Sequence, residues 1–333
     1  MTNPLYPTPS TQEFSSQGLI NQNTLINTSF LPSVLRVLKI TYYPEFIKSP
    51  YPVYQALLFA QGLQIAVQWD VEHQHNRLPD NQLVTIKHFG QHSNLAQGYL
   101  HIENLCRLDR PDASFNIFST APLEWFANKP ELYEQAHKAW ELLDEKNRGL
   151  LNAILFDGTF FKNFCTGPSS VAHHHNYPNG NLEHTLEVVF NIASNIHRYR
   201  TANLQLALIF GWLHDIGKVG EYKDTRDIEK PYKLTPSSCL HGHKMNGLNA
   251  LVKAQAQFCP LYPESSFDNL RHLMEATEAT GSSGLRQPQM LEFLLVANAD
   301  SASAAANVYA RAYQPGQSWG IAPGKNLNYR YEE

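Results

Sequence analysis

The chain has 333 residues, and its 26 Lys and Arg stand against 30 Asp and Glu, a formal net charge of -4. That balance excludes a polycationic nucleic-acid binder, whose basic field would show in the net charge. An apolar share of 43% with 16 Tyr, 17 Phe and 5 Trp excludes a disordered chain, and the length suits two compact domains or one large one, with no need for a disulfide or structural-metal staple.

Residues 1–29 read as a polar arm rich in Thr, Asn, Ser and Gln, without the basic start and apolar run of a secretory signal. No window reaches the ~18 to 20 consecutive apolar residues of a membrane span. The four cysteines, Cys106, Cys165, Cys239 and Cys259, are far apart and form no CxxC pair, which suits free thiols in a reducing compartment. These features predict a cytoplasmic protein that does not enter a membrane.

From residue 30 to about 108 the pattern is that of strands. Ser33 to Ile40 is rich in β-branched residues, Tyr54 to Phe59 runs into Gly62, and Leu63 to Trp69 alternates apolar and polar in period two. Leu83 to Ile86 and Gly98 to Ile102 follow after turn-rich stretches. About five short strands in roughly 80 residues suit a small barrel of the OB type over 30–115, with another small antiparallel barrel or sandwich as the alternative. Trp69, Tyr99 and Phe89 could stack bases there, although core packing is the better account of each one taken alone. Seven basic residues against eight acidic ones before residue 115 leave only local attraction for a nucleic acid.

Helical spacing begins near Ala121, where Leu132, Ala136, Ala139 and Leu143 share one face, so 116–170 reads as a helical connector. A series of helices separated by Pro and Gly clusters occupies 171–312, and 313–333 reads as an irregular tail. The expected fold class is α+β: an OB-type barrel followed by an all-α domain.

Nine of the 15 histidines fall between His173 and His272. His184 sits among Leu182, Leu186 and Val189 on an amphipathic segment, where an imidazole turned inward can ligate a cation or serve as a hydrogen-bonded core residue. Leu204 to Leu213 is a strongly apolar helix ending in His214, Asp215, Ile216, Gly217 and Lys218, with Gly217 placed to cap it. Adjacent ionisable groups at the end of a buried helix are costly without compensation, and a bound cation compensates them. Imidazole with carboxylate selects Mn, Fe, Co, Ni or Zn over Ca.

At these residues the chain resembles the HD superfamily of metal-dependent phosphohydrolases: a helix His, His-Asp on a second helix, then a distant Asp. Here these are His184, His214, Asp215 and Asp300. The resemblance implies that these four hold a metal, that Lys218 approaches the scissile phosphate, that Asp215 bridges two ions, and that Asp215, Lys218 and His214 are catalytic. The wider string His174 to Val188, HHNYPNGNLEHTLEV, is similar to the HHxxxGGLLEHTLxV element of the YhaM-type 3′-to-5′ exoribonucleases, which join an OB-fold, a helical linker and an HD domain. The same element occurs in MobH-type relaxases. His174 and His175 match the family's pair and are candidates for substrate contact.

The chain departs from that pattern twice. Asn179, Gly180 and Asn181 replace the double glycine, and Met274 to Thr280 stands where the family has a His-His-Gly element. His243 matches a family ligand, so the resemblance leaves a second site of His243 and Asp215, with Glu278 or Glu275 as oxygen substitutes. The expected activity is a phosphodiesterase with one or two transition-metal ions, Mn foremost, degrading single-stranded nucleic acid from the 3′ end, RNA before DNA. The alternatives are a MobH-type DNA-processing protein, a non-catalytic nucleic-acid-binding protein with a decayed second site, and a nucleotide phosphohydrolase.

Overall fold

The computed structural model describes residues 24–45, 51–70, 78–88, 92–96, 98–127, 129–171, 173–225, 227, 232–276, 287–312, 317–321 and 327–329. The fold is mixed α+β: a curled sheet comes first in the chain and a mainly helical body follows.

The sheet is built from β1 (Thr24–Asn27), β2 (Leu35–Tyr43), β3 (Val53–Ala60), β4 (Leu63–Asp70), β5 (Leu83–Lys87), β6 (His92–Ala96), β7 (Tyr99–His101) and β8 (Asn104–Arg107). Strands β2, β3 and β4 form an antiparallel meander. Gln61 and Gly62, at φ 53° and 78°, make the two-residue turn between β3 and β4, a geometry matched to the twist of the flanking strands. β5 pairs antiparallel with β2, β8 with β5, and β7 runs parallel to β4. β7 and β8 follow one another directly, separated by Ile102 and a bend at Glu103. Between them the Ile102 N–H donates to the Gln68 carbonyl (3.0 Å) and the Glu103 N–H to the Lys87 carbonyl (2.9 Å), so the chain passes from the β4 edge to the β5 edge. Alternate residues point inward and fill the curl, among them Leu35, Val37, Leu58, Val67, Trp69, Val84 and Ile102.

Two strands escape the period-two pattern. β1 lies in the stretch read as a polar arm and pairs with β6, a short polar segment beside β7. Neither carries the apolar alternation over several residues that a hydrophobic pattern needs, and their backbones pair antiparallel.

The helical body comprises α1 (Glu131–Glu141), α2 (Glu145–Ile154), α3 (Gly158–Thr166), α4 (Gly180–Asn195), α5 (Leu204–Leu213), then the hairpin β9 (Tyr222–Asp224) and β10 (Tyr232–Leu234), then α6 (Pro236–Phe258), α7 (Glu264–Glu275) and α8 (Leu291–Ala312). Leu132, Trp140, Leu150, Phe161 and Phe164 from the stretch read as a connector share one continuous core with α4, α5 and α8. Trp212 of α5 is fully buried at its centre and stacks on Phe118 at 5.3 Å. In the stretch expected to be irregular, β11 (Trp319–Ile321) and β12 (Leu327–Tyr329) form a short antiparallel hairpin.

One cation joins sheet to helices. Arg36 of β2 is completely buried, donates to the Thr120 carbonyl and hydroxyl and to the Asn81 carbonyl (2.6 to 3.2 Å), and lies 4.8 Å over the Phe161 ring.

Candidate metal centre

Three helices deliver the histidines and aspartates of the expected set to one point. His184 lies in the first half of α4, on the face that buries Leu182, Leu186 and Val189. α5 is apolar on every side because it is enclosed by its neighbours, and Asn203 caps its start by accepting from the Leu206 N–H (3.0 Å). Its last turn closes with the His214 N–H on the Phe210 carbonyl, and Asp215 follows with non-helical backbone, which turns both side chains toward α4. Asp300 enters from α8.

The ligand atoms of His184, His214, Asp215 and Asp300 all lie within 4.8 Å of one another, an arrangement that could hold a metal ion. His184 Nε2 is 3.1 Å from Asp300 Oδ1, 3.4 Å from Asp215 Oδ2 and 3.3 Å from His214 Nε2. The outer nitrogens of the two rings are already assigned. His214 Nδ1 faces the Gly211 carbonyl at 2.7 Å, and a carbonyl only accepts, so Nδ1 carries the hydrogen. His184 Nδ1 faces Ser303 Oγ at 2.8 Å, while Ser303 donates its hydroxyl hydrogen to Glu187 Oε2 at 2.5 Å, so His184 Nδ1 is also the donor. In the neutral rings both Nε2 lone pairs therefore point at each other and at two carboxylates. Four acceptors meeting in this way need a shared cation. Two imidazoles and two carboxylates suit a divalent transition metal, and the residues present fit one.

The electrostatics agree with that reading. Burial alone would pull His184 down, but the hydrogen bonds its protonated ring donates to the carboxylates of Asp215 and Asp300 outweigh it and hold its pKa up to about 9. Burial likewise opposes ionisation of Asp215, yet the charges of Lys218 and His214 keep it well below the usual carboxylate range. Lys218 Nζ stands 2.6 Å from Asp215 Oδ2, although that oxygen receives no well-directed hydrogen bond, and Nζ also donates to Ser169 Oγ (3.2 Å).

The remaining candidates divide. His243 Nε2 is 3.8 Å from Asp215 Oδ1, the oxygen that does not face His184 and His214, and its Nδ1 is 3.6 Å from the buried carboxylate of Glu221. His243 follows Gly242, whose φ of 69° breaks α6 and lets a new helical stretch start at the histidine. Gly217 does not cap α5 through a left-handed turn. A Cβ there would meet the His243 carbonyl at 1.8 Å, so glycine is required for the close approach of the two segments. His174 and His175 stand beside His184, with ring centroids 5.1 and 5.2 Å from it. His175 is fully buried at φ 48°, held by Asn307 Oδ1 accepting from its N–H (2.9 Å) and by Gly180 packed under its carbonyl. Burial, followed by the charge of His184, lowers the pKa of His174 to about 4. Glu275 is paired with Arg271 at 3.1 Å, and Glu278 lies outside the described residues.

Ser303, Glu187 and Glu221 are the functional candidates the sequence reading missed. Glu187 follows His184 by three residues and Ser303 follows Asp300 by three, the spacing that puts two residues on one helix face, so that signal was present. Glu221 has no such periodic cue.

A cavity of about 110 Å³ opens beside the cluster, between His214, Asp215, His243 and Asp300 on one side and an apolar wall on the other. A larger cavity of about 490 Å³ lies elsewhere, between the sheet and α2, α3 and α6, where Arg107 and Lys253 are offset by Asp109 and Asp157 and no set of ligands converges.

No protein-family model, curated protein or solved structure matches this chain. Among the described residues no helix is long and apolar enough to cross a membrane.

Proposed function

We propose that the chain is a metal-dependent phosphodiesterase of the HD type that removes nucleotides from the 3′ end of single-stranded nucleic acid, RNA in preference to DNA, inside the cell. The observation that carries this reading is the meeting of His184, His214, Asp215 and Asp300 with Lys218 at 2.6 Å from Asp215. A structural cluster of buried ligands has no need of a lysine held against one of its carboxylates, whereas phosphoryl transfer uses one.

When bound, a divalent cation supplies charge neutralisation on the phosphoryl oxygens and a lowered pKa for the attacking water. The chain's own groups do the rest. Ser303 and the Gly211 carbonyl fix the two imidazoles so that they present lone pairs inward. Lys218, held between Asp215 and Ser169, adds positive charge where the phosphate arrives, and α5 and α8 keep bulk water from the cluster's inner side.

Strand holding falls to the sheet, for which the OB type is the reading supported by its strand order. The meander β2–β3–β4, β5 beside β2, and the successive β7 and β8 serving β4 and β5 follow the sequence of pairings in that fold. Across the meander, Tyr42, Tyr54 and Trp69 are register partners and form a ladder, with centroids 4.8 and 5.3 Å apart, from buried Trp69 to exposed Tyr42. Trp69 packs in the sheet core, so bases would stack at the Tyr42 end. Phe89 lies outside the described residues.

The test is degradation of 5′-end-labelled single-stranded RNA and DNA by the full chain with Mn added. A ladder shortening one nucleotide at a time, faster on RNA and absent in Asp215→Ala, is expected. No cleavage with Mn, Co, Ni, Fe or Zn would overturn the proposal.

A further inference from the structure

The cavity beside the cluster has two unlike walls. One is the row of ionisable groups just described. The other is apolar and rigid: Phe210 and Phe293 stack at 6.0 Å with planes 25° apart, Met274 lies alongside, and all three are buried. Ala297 of α8 lines it too, one turn before Asp300. Lys244 borders the cavity, its ammonium donating to the Ala276 carbonyl at 3.3 Å.

A purely ionic ligand has no use for the second wall, and a purely apolar one cannot be placed against two carboxylates. The occupant must carry an anionic group and, a few bonds away, a flat apolar one. About 110 Å³ is roughly a third of the ~300 Å³ at which pockets for drug-sized ligands begin, so it admits one ring system and excludes a stacked pair.

We propose that this cavity seats the base of the terminal nucleotide, so that the protein binds a nucleoside 5′-monophosphate with the phosphate toward the metal ligands His214, Asp215 and Asp300 and the ring against Phe210 and Phe293. This rests on the phosphodiesterase reading and deepens it. A seat for one ring cannot take a base pair, which restricts the site to unpaired ends. Apart from Lys244, the described residues of its far wall offer no side-chain groups to read base edges, so the seat is expected to accept all four bases.

The experiment is calorimetric titration of the Mn-loaded full chain with AMP, with ribose 5-phosphate and with inorganic phosphate. AMP is expected to bind about tenfold more tightly than ribose 5-phosphate, the scale of one base on an aromatic wall. Ala297→Phe fills the seat and is expected to erase that difference while Mn stoichiometry is unchanged. Phe293→Leu, which removes the aromatic wall without adding bulk, should weaken AMP alone and keeps the test decisive where Ala297→Phe does not fold. Equal binding of AMP and ribose 5-phosphate by the wild-type chain overturns the proposal, as does discrimination that survives both substitutions. Failure of the wider reading looks different: labelled strands then stay intact with every metal, whatever AMP does.

Discussion

His184 Nε2 lies 3.3 Å from His214 Nε2, and each ring has its Nδ1 hydrogen committed to an acceptor behind it. Two lone pairs brought this close on rigid helices share a cation, and in its absence a proton takes the place. The carboxylates of Asp215 and Asp300 favour that proton and, against the effect of burial, hold the pKa of His184 up to about 9.

Proton and metal therefore compete for one nitrogen. Below pH 9 the metal-free ring is protonated, and each unit of further acidification is expected to weaken metal binding by up to about tenfold, one proton being displaced. Above pH 9 the affinity should level off. The sign for stability is the reverse: a histidine whose folded pKa exceeds its unfolded value of about 6.5 stabilises below that value and stops doing so as pH rises through 9. Metal-free protein should thus melt at a lower temperature at pH 9 than at pH 6.5, a difference that saturating Mn reduces. Metal titrations and melting curves across this range measure both trends.

Two carboxylates outside the cluster are expected to act through histidines. Glu187 reaches His184 by way of Ser303, and Glu221 reaches His243 directly. Replacing such a partner typically costs about 10- to 100-fold in metal affinity. Ser303→Ala should produce that loss in the first binding event of a Mn titration, together with about 1 to 3 kcal/mol of metal-free stability because the buried His184 Nδ1 hydrogen loses its acceptor, and Glu221→Gln in a second, weaker event. A single binding event, insensitive to Glu221→Gln, would leave His243 without a metal.

His214 and Asp215 were legible as a charged pair ending the apolar α5, whereas His184 on its amphipathic face suited a core histidine as well as a ligand, and Asp300 carried no pattern of its own and was reached only through the resemblance. The helical spacing of Leu132, Ala136 and Ala139 was legible too, but not that these residues share a core with α5, because periodicity reports which face is buried and not what buries it. Glu221 was hidden for a different reason. It enters through the turn after Lys218, and a turn has no period to read. β1 and β6 were hidden because polar strands pair through groups common to all residues.

Arg36 is expected to be a stability residue rather than a nucleic-acid contact. Its guanidinium is buried between the sheet and the helical body, where burial lowers its pKa, and it is the donor for Thr120 and Asn81. Arg36→Leu leaves the buried Thr120 acceptors unpaired, at about 1 to 3 kcal/mol each, and frees the half-buried Asn81 carbonyl at a smaller cost. A loss of about 3 kcal/mol or more in urea unfolding is expected, with metal affinity at the distant cluster nearly unchanged in the protein that remains folded. An equally stable Arg36→Leu protein would mean that water or rearranged neighbours satisfy both carbonyls.

Gly217→Ala adds a single methyl group, and the geometry predicts a disproportionate effect. The added Cβ would lie 1.8 Å from the His243 carbonyl and 2.5 Å from the Gly247 nitrogen, both backbone atoms that cannot rotate away. α6 must then move off the turn that follows Asp215, carrying His243 with it, while α4, α5 and α8 have no reason to shift. Overpacking of this kind costs about 1 to 3 kcal/mol. The substitution should therefore lower the melting temperature, spare the cation held by His184, His214, Asp215 and Asp300, and weaken any second cation that depends on His243 and Asp215 together. Mn titration of the folded variant reads both, and equal weakening of the two events would show that α6 also supports the first.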